Sequence, residues 1–412
     1  MNILYIAHRI PYPPDKGDKI RSFNTLRLLA RKHDVWCACF VDDPPDWKYV
    51  PTLRTYCRDV IALPLRQSRK LVGAARRLVD GGALSEGFYH DPAMFDALDG
   101  LARQAQFDAV LVFSSSMGQY GLRVDAGRHV IDLCDLDSAK WAECARRRRA
   151  PLSWVYSVEA ERLRALEARL IRSYDASLLI GAHEAEAEVT VDRSRLHFVP
   201  NGVALPDLDW DGSHDSGIVG FVGDMRYWPN EDAVCWFARE VWPAVVRAVP
   251  GAQFRIVGRG PSRATRRLGR LPGVEVTGAV DDVSEELRRF QVSVAPLRVA
   301  RGIQNKVLEA MAMGRTVVAT PGAASGIHAK DGEHWYVPPD RKQFGERLIY
   351  LLGRPDECRR LGHAARRYVE ESYRWDAIGE KLEALLGGNC ASAGTKRTQS
   401  HRARLNTLTH SV

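Results

Sequence analysis

Residues 294–314 read VAPLRVARGIQNKVLEAMAMG. The apolar run ends at Ala295, a polar loop that contains Gly302 follows, and an amphipathic helix begins near Gln304 or Asn305. A buried strand joined to a helix by a short glycine-containing loop is the unit from which parallel α/β sheets are built. The stretch therefore predicts a doubly wound α/β domain, in which ligands bind outside the carboxyl ends of the strands.

The same alternation of apolar runs and amphipathic stretches extends along most of the chain and forms two series. The first series of predicted strands comprises residues 3–7, 35–41, 60–63, 109–113, 130–133, 176–180 and 196–199. The second series comprises residues 218–222, 253–257, 274–277, 292–295, 316–319 and 335–337. Turn-forming residues at 200–203 separate the two series, and a segment rich in Pro, Asp, Gly and Ser follows at 205–216.

The two series predict an α/β protein with two doubly wound, Rossmann-like domains that face a central cleft. We place the N-terminal domain at residues 1–204 and the C-terminal domain at residues 205–386. Beyond them the apolar pattern stops, so residues 387–412 are predicted to form a disordered basic tail. This architecture favours a nucleotide-type ligand but does not identify a reaction.

The composition is that of a soluble globular protein, with 45% hydrophobic and 27% charged residues among 412. No apolar run reaches the ~18 residues that a membrane-spanning helix needs. The apolar residues 1–7 lack a basic leader and are interpreted as a first strand rather than a signal peptide. The eight cysteines are scattered without a C-x2-C pair, which argues against a zinc ribbon and favours a reducing, cytoplasmic compartment.

The net charge of +8 favours anionic partners such as nucleotide phosphates, lipid headgroups or nucleic acid. We do not predict a nucleic-acid partner, because no recognition motif or interleaved aromatic platform accompanies the charge. Four consecutive arginines at 146–149 predict either a solvated turn or a patch that binds an anionic membrane surface.

The start of the helix after Gly302 is the richest candidate site. Its free N–H groups and its positive dipole end favour an anion. Asn305 is a predicted N-cap, and Lys306 adds a full charge in the same turn. Glu309 lies one turn on, where a carboxylate can accept hydrogen bonds from two sugar hydroxyls. We predict that phosphate binds along residues 302–306, which include Gly302, Gln304 and Lys306, and that ribose binds at Glu309. The alternative is that Lys306 and Glu309 form a solvated pair on the helix surface.

Residues 308–320, LEAMAMGRTVVAT, resemble the donor-binding motif of the retaining glycosyltransferases of family 4. There a Glu-x7-Glu loop leads into LEAMA-x-G-x-PVVAT, and the second Glu, here Glu309, binds the ribose hydroxyls. The first Glu position is occupied by Arg301, which makes this loop more cationic. The resemblance reaches about residue 386 and implies the GT-B fold, a final helix near 376–386 that packs back on the first domain, and no metal. The nucleotide-sugar donor would be the only cofactor-like ligand.

Two further segments of the second domain agree with that family. Residues 221–230, FVGDMRYWPN, occupy the place of its diphosphate loop, so Arg226 is predicted to contact phosphate, with an ordinary surface arginine as the alternative. Residues 257–261, VGRGP, resemble a GxGP turn near the nucleotide base, so Gly258 is predicted to line the donor site. A short glycine motif of this kind is weak evidence for a nucleotide site when it is taken alone.

Two segments of the first domain complete the predicted site. Gly17 lies where family members carry glycines against the donor phosphate and the acceptor, and a glycine lets the backbone approach a ligand closely. An ordinary turn also explains it. Asp132 and Asp135 follow a predicted strand and are candidates to contact hydroxyls of the acceptor or the sugar. The alternative is helix capping by Asp137 or Ser138. No fourth metal ligand accompanies the three aspartates.

Residues 4–24, 132–141 and 225–237 together resemble sugar transferases of exosortase (PEP-CTERM) loci and exopolysaccharide synthesis. This implies a retaining transferase that moves a sugar from a nucleotide-diphosphate sugar to a glycan or lipid-linked acceptor. It would act in the cytoplasm, with peripheral attachment at the inner face of the membrane. Its predicted catalytic residues are Lys306, Glu309, Arg226 and Asp135. Two alternatives stay open: a nucleotide-sugar epimerase of the same fold, and a non-catalytic scaffold of a polysaccharide-assembly complex, which Arg301 suggests.

Overall fold

The chain folds into two compact α/β units. One unit comprises Met1–Pro200 together with the segment that begins at Ile378, and the other comprises Asn201–Ala377. The structure is a computed structural model, and it describes residues 1–146, 149–181, 193–205, 214–300 and 302–387. Within these ranges no helix combines the length and the apolar character needed to cross a bilayer.

A seven-stranded parallel sheet forms the first unit. Its strands are β1 (Asn2–Ala7), β2 (Asp34–Val41), β3 (Asp59–Pro64), β4 (Phe107–Phe113), β5 (Ala126–Cys134), β6 (Ala176–Leu179) and β7 (Leu196–Phe198). They lie in the order β3-β2-β1-β4-β5-β6-β7. The chain thus winds outward from β1 on one side and from β4 on the other, the doubly wound topology. The strands are nearly continuous apolar runs, as strands buried on both faces of a parallel sheet must be.

Helices connect the strands of the first unit. They are α1 (Gly17–Ala30), α2 (Val50–Arg54), α3 (Gln67–Asp80), α4 (Leu84–Phe88), α5 (Pro92–Gln104), α6 (Gly118–Gly121), α7 (Asp137–Arg146) and α8 (Leu152–Ser173). Leu98 of α5 and Leu163 of α8 join Phe40 and Val110 of the sheet in one buried cluster. Burial of such side chains, at roughly 25 cal/mol per Å² of apolar surface, holds the helices on the sheet.

A five-stranded parallel sheet forms the second unit. Its strands are β8 (Ile218–Val222), β9 (Gln253–Val257), β10 (Val274–Gly278), β11 (Val292–Ala295) and β12 (Thr316–Ala319), in the order β10-β9-β8-β11-β12. Its helices are α9 (Trp228–Trp236), α10 (Trp242–Ala248), α11 (Arg263–Leu268), α12 (Val283–Arg289), α13 (Asn305–Ala312), α14 (Pro321–Ala324), α15 (Arg341–Leu352) and α16 (Pro355–Ser372). Phe237, Trp242, Phe254 and Leu348 pack together in its core.

The two parallel sheets confirm the predicted α/β fold class and correct two of the predicted elements. Residues 335–337 do not form a sheet strand; Tyr336 makes only an isolated bridge to Val318. The pattern of residues 232–249 predicts a single helix, but a π-helical turn, Phe237–Val241, interrupts it and separates α9 from α10. Pro243 lies just after that turn and lacks the N–H that a regular helix would need there.

The last described helix is α17 (Trp375–Gly387). From Ile378 onward it belongs to the first unit. Gly379 lies close to Leu28 of α1, where an added Cβ would come within 3.3 Å of a Leu28 methyl carbon. Nε of Arg128 donates a hydrogen bond to the carbonyl of Leu385 at 3.0 Å. The predicted basic tail lies outside the described residues from position 388 onward.

Candidate functional site

The second unit has a topological switch point between β8 and β11. From β8 the chain proceeds to β9 and β10 on one side, and from β11 it proceeds to β12 on the other. Loops and helices that leave the two central strands therefore diverge at their carboxyl ends and leave a crevice, the usual ligand position in such sheets. Helix α9 follows β8, and helix α13 follows β11.

Helix α13 begins at Asn305, and Gln304 is its N-cap. The Gln304 side chain makes no capping hydrogen bond to the first turn of the helix. The prediction of Asn305 as N-cap is wrong by one residue, because Asn305 is already helical. Its Oδ1 atom instead accepts a hydrogen bond from Nδ2 of Asn201 at 2.9 Å. An uncapped amino end retains N–H groups that can bind an anion.

Lys306 lies in the first turn of α13 and reaches across the switch point. Its Nζ donates a hydrogen bond to Oδ1 of Asn230 on α9 and lies 4.7 Å from the ring centre of Phe221 at the end of β8. Asn230 is buried, and its Nδ2 donates to the carbonyl of Asp224 at 2.9 Å. Burial lowers the pKa of Lys306 to about 8, although the carboxylate of Glu309 opposes this shift.

Glu309 lies one turn after Lys306 on α13 and is half-buried. Burial raises the pKa of its carboxyl group above the ordinary value, and the charge of Lys306 acts in the opposite direction. Among the residues that the structure describes, none donates a hydrogen bond to this carboxylate. The two oxygens can therefore accept hydrogen bonds from a ligand, as the predicted ribose role requires.

The β8–α9 loop holds Arg226 in an ion pair. Its Nε and Nη2 atoms donate to the two carboxylate oxygens of Asp224 at 3.0 and 2.7 Å. Nε of Arg259, in the loop after β9, donates to the same carboxylate at 3.0 Å. These hydrogen bonds, Arg226 first, hold the pKa of Asp224 well below its usual range. The charge of Arg226 is thus partly neutralised, but its side chain remains 59% exposed.

Gly258 has a structural reason to be glycine. Its φ is +149°, and an added Cβ would lie 1.7 Å from the carbonyl oxygen of Gly223. The loops after β8 and β9 therefore touch backbone to backbone. At Gly302 the φ is +62°, within the left-handed region that favours glycine. Arg301, which occupies the first Glu position of the predicted donor-binding motif, lies outside the described residues.

The first unit has its own switch point, between β1 and β4. Gly17 is the first residue of α1 and is exposed there. The neighbouring Asp18 carboxylate lies 3.1 Å from Nη1 of Arg9 and 3.3 Å from Nε2 of His8. Burial acts to raise the pKa of Asp18, but His8 and Arg9 outweigh it and hold the pKa below its usual range. The ring of His8 stacks on Phe113 at the end of β4, with 5.6 Å between ring centres.

Asp132 is buried inside the first unit rather than available at its surface. Its carboxylate accepts hydrogen bonds from Nε and Nη2 of Arg21 at 2.7 and 3.1 Å. The same Arg21 donates from Nη1 to the carbonyl of Val199 at 2.9 Å. Asp132 is only 1% exposed, and Arg21 engages both of its carboxylate oxygens, so its direct contact with hydroxyls stays a prediction from the sequence.

Asp135 lies three residues further on, just after β5, and its environment differs. Its Oδ1 atom is buried and has no hydrogen-bond partner among the described residues. Burial raises the pKa of the carboxyl group, and the negative charge of Asp137 adds to the effect. Ser114 and Cys134 nearby have φ values of +85° and +63°, which non-glycine residues adopt rarely and which are enriched at functional sites. An unpaired buried acceptor would be satisfied by a ligand hydroxyl.

Sequence reasoning did not assign a role to Asn230, Asn201, Asp224 or Arg21. Three of these four residues lie within the segments that carry the resemblance, so the sequence drew attention to them. Their contact partners could not be predicted, since Lys306 is 76 positions from Asn230 and Asp132 is 111 positions from Arg21. In the described parts of the chain no group of three or more His, Cys, Asp or Glu side chains is arranged to hold a metal ion. The absence of a metal requirement stays a prediction.

Part of the second unit is similar to known proteins. Residues 216–354, which contain β8 to β12 and α13, match the family of glycosyl transferases group 1. Over 156 residues the chain is 31% identical to a GDP-mannose-dependent monoacylated alpha-(1-6)-phosphatidylinositol monomannoside mannosyltransferase of Corynebacterium glutamicum, covering 35% of this chain and 41% of that protein. Over 126 residues it is 28% identical to the putative glycosyltransferase EpsD of Bacillus subtilis, covering 29% of this chain and 33% of EpsD.

Similarity to solved structures extends over more of the chain than similarity to these two sequences. The crystal structure of Anabaena HepE in complex with UDP superposes with a TM-score of 0.67, covering 94% of this chain and 100% of HepE at 12% identity. At that identity the likeness establishes the fold alone. The chain spans about two fifths of the length of the curated mannosyltransferase that it matches. The chain therefore has the GT-B fold, and its residues 216–354 match the glycosyl transferases group 1 family.

Proposed function

We propose that the chain is a retaining glycosyltransferase of the family 4 type. It transfers a sugar from a nucleotide-diphosphate donor to a hydroxyl group of a glycan or lipid-linked acceptor. The observation that carries this proposal is the bridge between Lys306 and Asn230 across the β8/β11 switch point. It places an ammonium group beside an uncapped helix end and one turn from the carboxylate of Glu309. In a nucleoside diphosphate the phosphates would contact the ammonium group of Lys306, and the ribose next to them would contact the carboxylate of Glu309.

The donor diphosphate would bind at the amino end of α13. Lys306 has three N–H donors and gives one to Asn230, which leaves two for phosphate oxygens. Backbone N–H groups near Gly302 and Gln304 and the helix dipole act on the same anion. Glu309 would accept the ribose hydroxyls, and the base would lie beside the loop after β9, which contains Gly258. Arg226 would reach phosphate by leaving part of its ion pair with Asp224.

The chemical step builds negative charge on the departing nucleoside diphosphate. Preorganised cations that stabilise such charge commonly account for the largest part of a rate enhancement. Lys306 would supply this stabilisation, because a pKa of about 8 leaves it mostly protonated at neutral pH. In a reaction with retention the acceptor attacks from the face that the leaving group occupies, so a leaving phosphate oxygen would take the acceptor proton. No metal and no other cofactor is required.

Asp135 would contact a hydroxyl group of the acceptor or the transferred sugar. Its buried Oδ1 lacks a hydrogen bond in the described part of the chain. Burial and the charge of Asp137 disfavour the ionised carboxylate, which raises its pKa. A hydroxyl donor would relieve both effects. Asp132 would act indirectly, because its ion pair with Arg21 fixes the strand end from which Asp135 projects.

We also propose that the acceptor is presented at the inner face of a membrane, within the pathway of exopolysaccharide synthesis. The mannosyltransferase relative acts on a phosphatidylinositol derivative by its name, and EpsD is a putative glycosyltransferase. In the present chain Arg146 and Arg149 are exposed, and Leu152, Trp154 and Val155 at the start of α8 are exposed beside them. Cationic and apolar side chains together suit an anionic lipid surface. Arg147 and Arg148 lie outside the described residues.

The test is product formation by the purified full chain. UDP- and GDP-sugars are screened first for protection against thermal unfolding, and the donors that protect are then incubated with glycan and lipid-linked acceptors. We expect a glycoside whose anomeric configuration by NMR equals that of the donor. Conversion of the donor without an acceptor would identify an epimerase. Binding without any product in either assay would favour a scaffold, and an inverted anomer would refute the retaining reaction.

A further inference from the structure

The first unit contains a cavity that has not been described above. Its volume is about 490 Å³, and it lies between the end of α3, the start of α4 and the second half of α8. None of the residues assigned above to donor or acceptor lines it. The volume is within the range of roughly 300–1,000 Å³ that is usual for small-molecule sites. The cavity is therefore large enough for a phosphorylated organic molecule and not only for a single inorganic ion.

Five arginines line this cavity and only two acidic residues accompany them. The arginines are Arg76, Arg77, Arg162, Arg169 and Arg172, and the acids are Asp80 and Glu86. Guanidinium groups stay protonated in proteins, so five of them around one cavity repel each other unless anions lie between them. The formal charge of the lining is positive even after both carboxylates are counted.

The two carboxylates are already engaged by two of the arginines. Glu86 is buried, and its oxygens lie 3.0 Å from Nη2 of Arg77 and 3.1 Å from Nη2 of Arg169. Asp80 lies 3.1 Å from Nη1 of Arg77. Arg162 donates from Nη1 to the carbonyls of Arg77 and Gly82 at 3.1 and 3.2 Å, which fixes its position without neutralising its charge.

Two observations indicate that the lining is short of anions. Arg76 and Arg172 are exposed at the cavity, and neither forms an ion pair among the described residues. In addition, Nε of Arg169 is buried and has no hydrogen-bond acceptor in the described part of the chain. A buried donor without an acceptor is costly, and a ligand oxygen would remove that cost.

We propose that this cavity binds a phosphorylated small molecule through its phosphate or diphosphate group. Two N–H groups of one guanidinium can bind two oxygens of a phosphate at the same time. A carboxylate has fewer oxygens and would satisfy fewer of the N–H donors in this cavity. Ala83, Ala165 and Leu166 supply an apolar part of the lining for the organic body of the ligand. The phosphate could belong to a free sugar phosphate or to the headgroup of a lipid, and the binding chemistry is the same for both.

The test uses the full chain and two soluble probes, inorganic diphosphate and glucose 1-phosphate, in calorimetric titrations. The donor site also attracts diphosphate, so all titrations are repeated in the Lys306→Ala background. The variant Arg76→Ala/Arg172→Ala removes two exposed guanidinium groups that form no ion pair among the described residues. Arg54→Ala/Arg103→Ala is the matched control, because both side chains are exposed in the same unit, lie outside the cavity and carry the same charge.

We expect the Arg76→Ala/Arg172→Ala pair to weaken probe binding by roughly tenfold or more at low salt, and the control pair to leave it unchanged. Vesicles of phosphatidylcholine with and without phosphatidic acid form a second arm. If vesicle binding depends on the same two arginines and soluble diphosphate competes with it, the natural phosphate is a lipid headgroup. If only the soluble probes bind, it is a free phosphate ester. Equal binding by the wild type and the Arg76→Ala/Arg172→Ala variant in both arms would overturn the proposal.

Discussion

Nζ of Lys306 donates a hydrogen bond to Oδ1 of Asn230, and this bond joins the helices that leave the two central strands of the second sheet. The contact fixes an ammonium group at the switch point of this sheet, where the chain directions diverge. Asn230 is itself held by a hydrogen bond from its Nδ2 to the carbonyl of Asp224. The position of the charge is therefore set by the fold before any ligand binds, which is the condition for electrostatic catalysis.

Lys306→Ala should lower turnover by about 10²–10³-fold, the usual cost of losing one contact to developing charge at comparable sites. The effect on the melting temperature should be small, because removal of the Lys306 side chain leaves only the neutral Oδ1 atom of Asn230 without its hydrogen bond. Lys306→Arg should recover part of the rate, since guanidinium is larger and planar. The measurement is steady-state kinetics with a donor and acceptor that react. Lys342→Ala, at an exposed position of the same unit, is the control. Near-normal turnover of Lys306→Ala would move the role to Arg226 or Arg301.

The pH dependence of kcat/KM should report the titration of Lys306 in the free enzyme. Its pKa is lowered to about 8, and the protonated form is the active one, so kcat/KM should fall as pH rises through about 8. A bound diphosphate favours the charged form and raises that pKa, so kcat should fall only at higher pH. In Lys306→Arg the alkaline fall of kcat/KM should disappear. An unchanged profile in that variant would show that another group titrates.

Glu309→Ala should weaken nucleotide binding by roughly 1.5–3 kcal/mol, the range for a hydrogen bond to a charged group. Calorimetric titration with the nucleoside diphosphate measures this difference. Glu346→Ala, an exposed glutamate of α15, is the control, and its binding should equal that of the wild type. A folded Glu309→Ala variant with wild-type affinity would remove Glu309 from the site.

Asp132→Asn and Asp135→Asn should have different effects on the stability of the protein. Loss of one partner of the buried pair with Arg21 should destabilise the protein by about 3–5 kcal/mol. Asp135 has a raised pKa when folded, so its ionisation lowers stability as pH rises above the unfolded value. Asp135→Asn should therefore keep or increase stability at neutral pH while it lowers turnover. Thermal unfolding and kinetics on both variants test this; a destabilised but fully active Asp135→Asn protein would contradict the assignment.

Binding to vesicles that contain anionic lipid should fall as salt is added, because exposed charges are screened over ~8 Å at physiological ionic strength. Replacement of the four arginines at 146–149 by serine should reduce it further, and Trp154→Ser should reduce the part that salt does not remove. Co-sedimentation measures both. Vesicle binding that survives the fourfold replacement would show that this patch is not the contact.

Local pattern was enough to predict the fold class and the first turns of α13. The helical spacing and the charges of Lys306 and Glu309 lie within one short segment, so periodicity and helix-end chemistry predict them directly. The resemblance also drew attention to the loops that contain Arg226 and Gly258. These features depend on neighbours a few residues away, which a single sequence contains.

Contacts between distant segments could not be predicted in the same way. The sequence contains no signal that Asn230 would receive the hydrogen bond of Lys306, or that Arg21 would remove Asp132 from the surface. Both contacts depend on the order of strands and on the depth at which each helix packs. The one-residue error at the N-cap of α13 has a similar cause, because Asn201 engages the side chain of Asn305 from another segment.

Affinity for a nucleoside diphosphate, compared with affinity for its parent nucleoside, tests the assignment of Lys306 and Glu309 most directly. Both ligands are titrated into the wild type, Lys306→Ala and Glu309→Ala. The account predicts that Lys306→Ala weakens only the diphosphate, by roughly 1.5–3 kcal/mol, because only that ligand has the anion. Glu309→Ala should weaken both ligands, because both contain the ribose. Equal losses for the two ligands in Lys306→Ala, or no loss for either, would contradict a phosphate site at the start of α13.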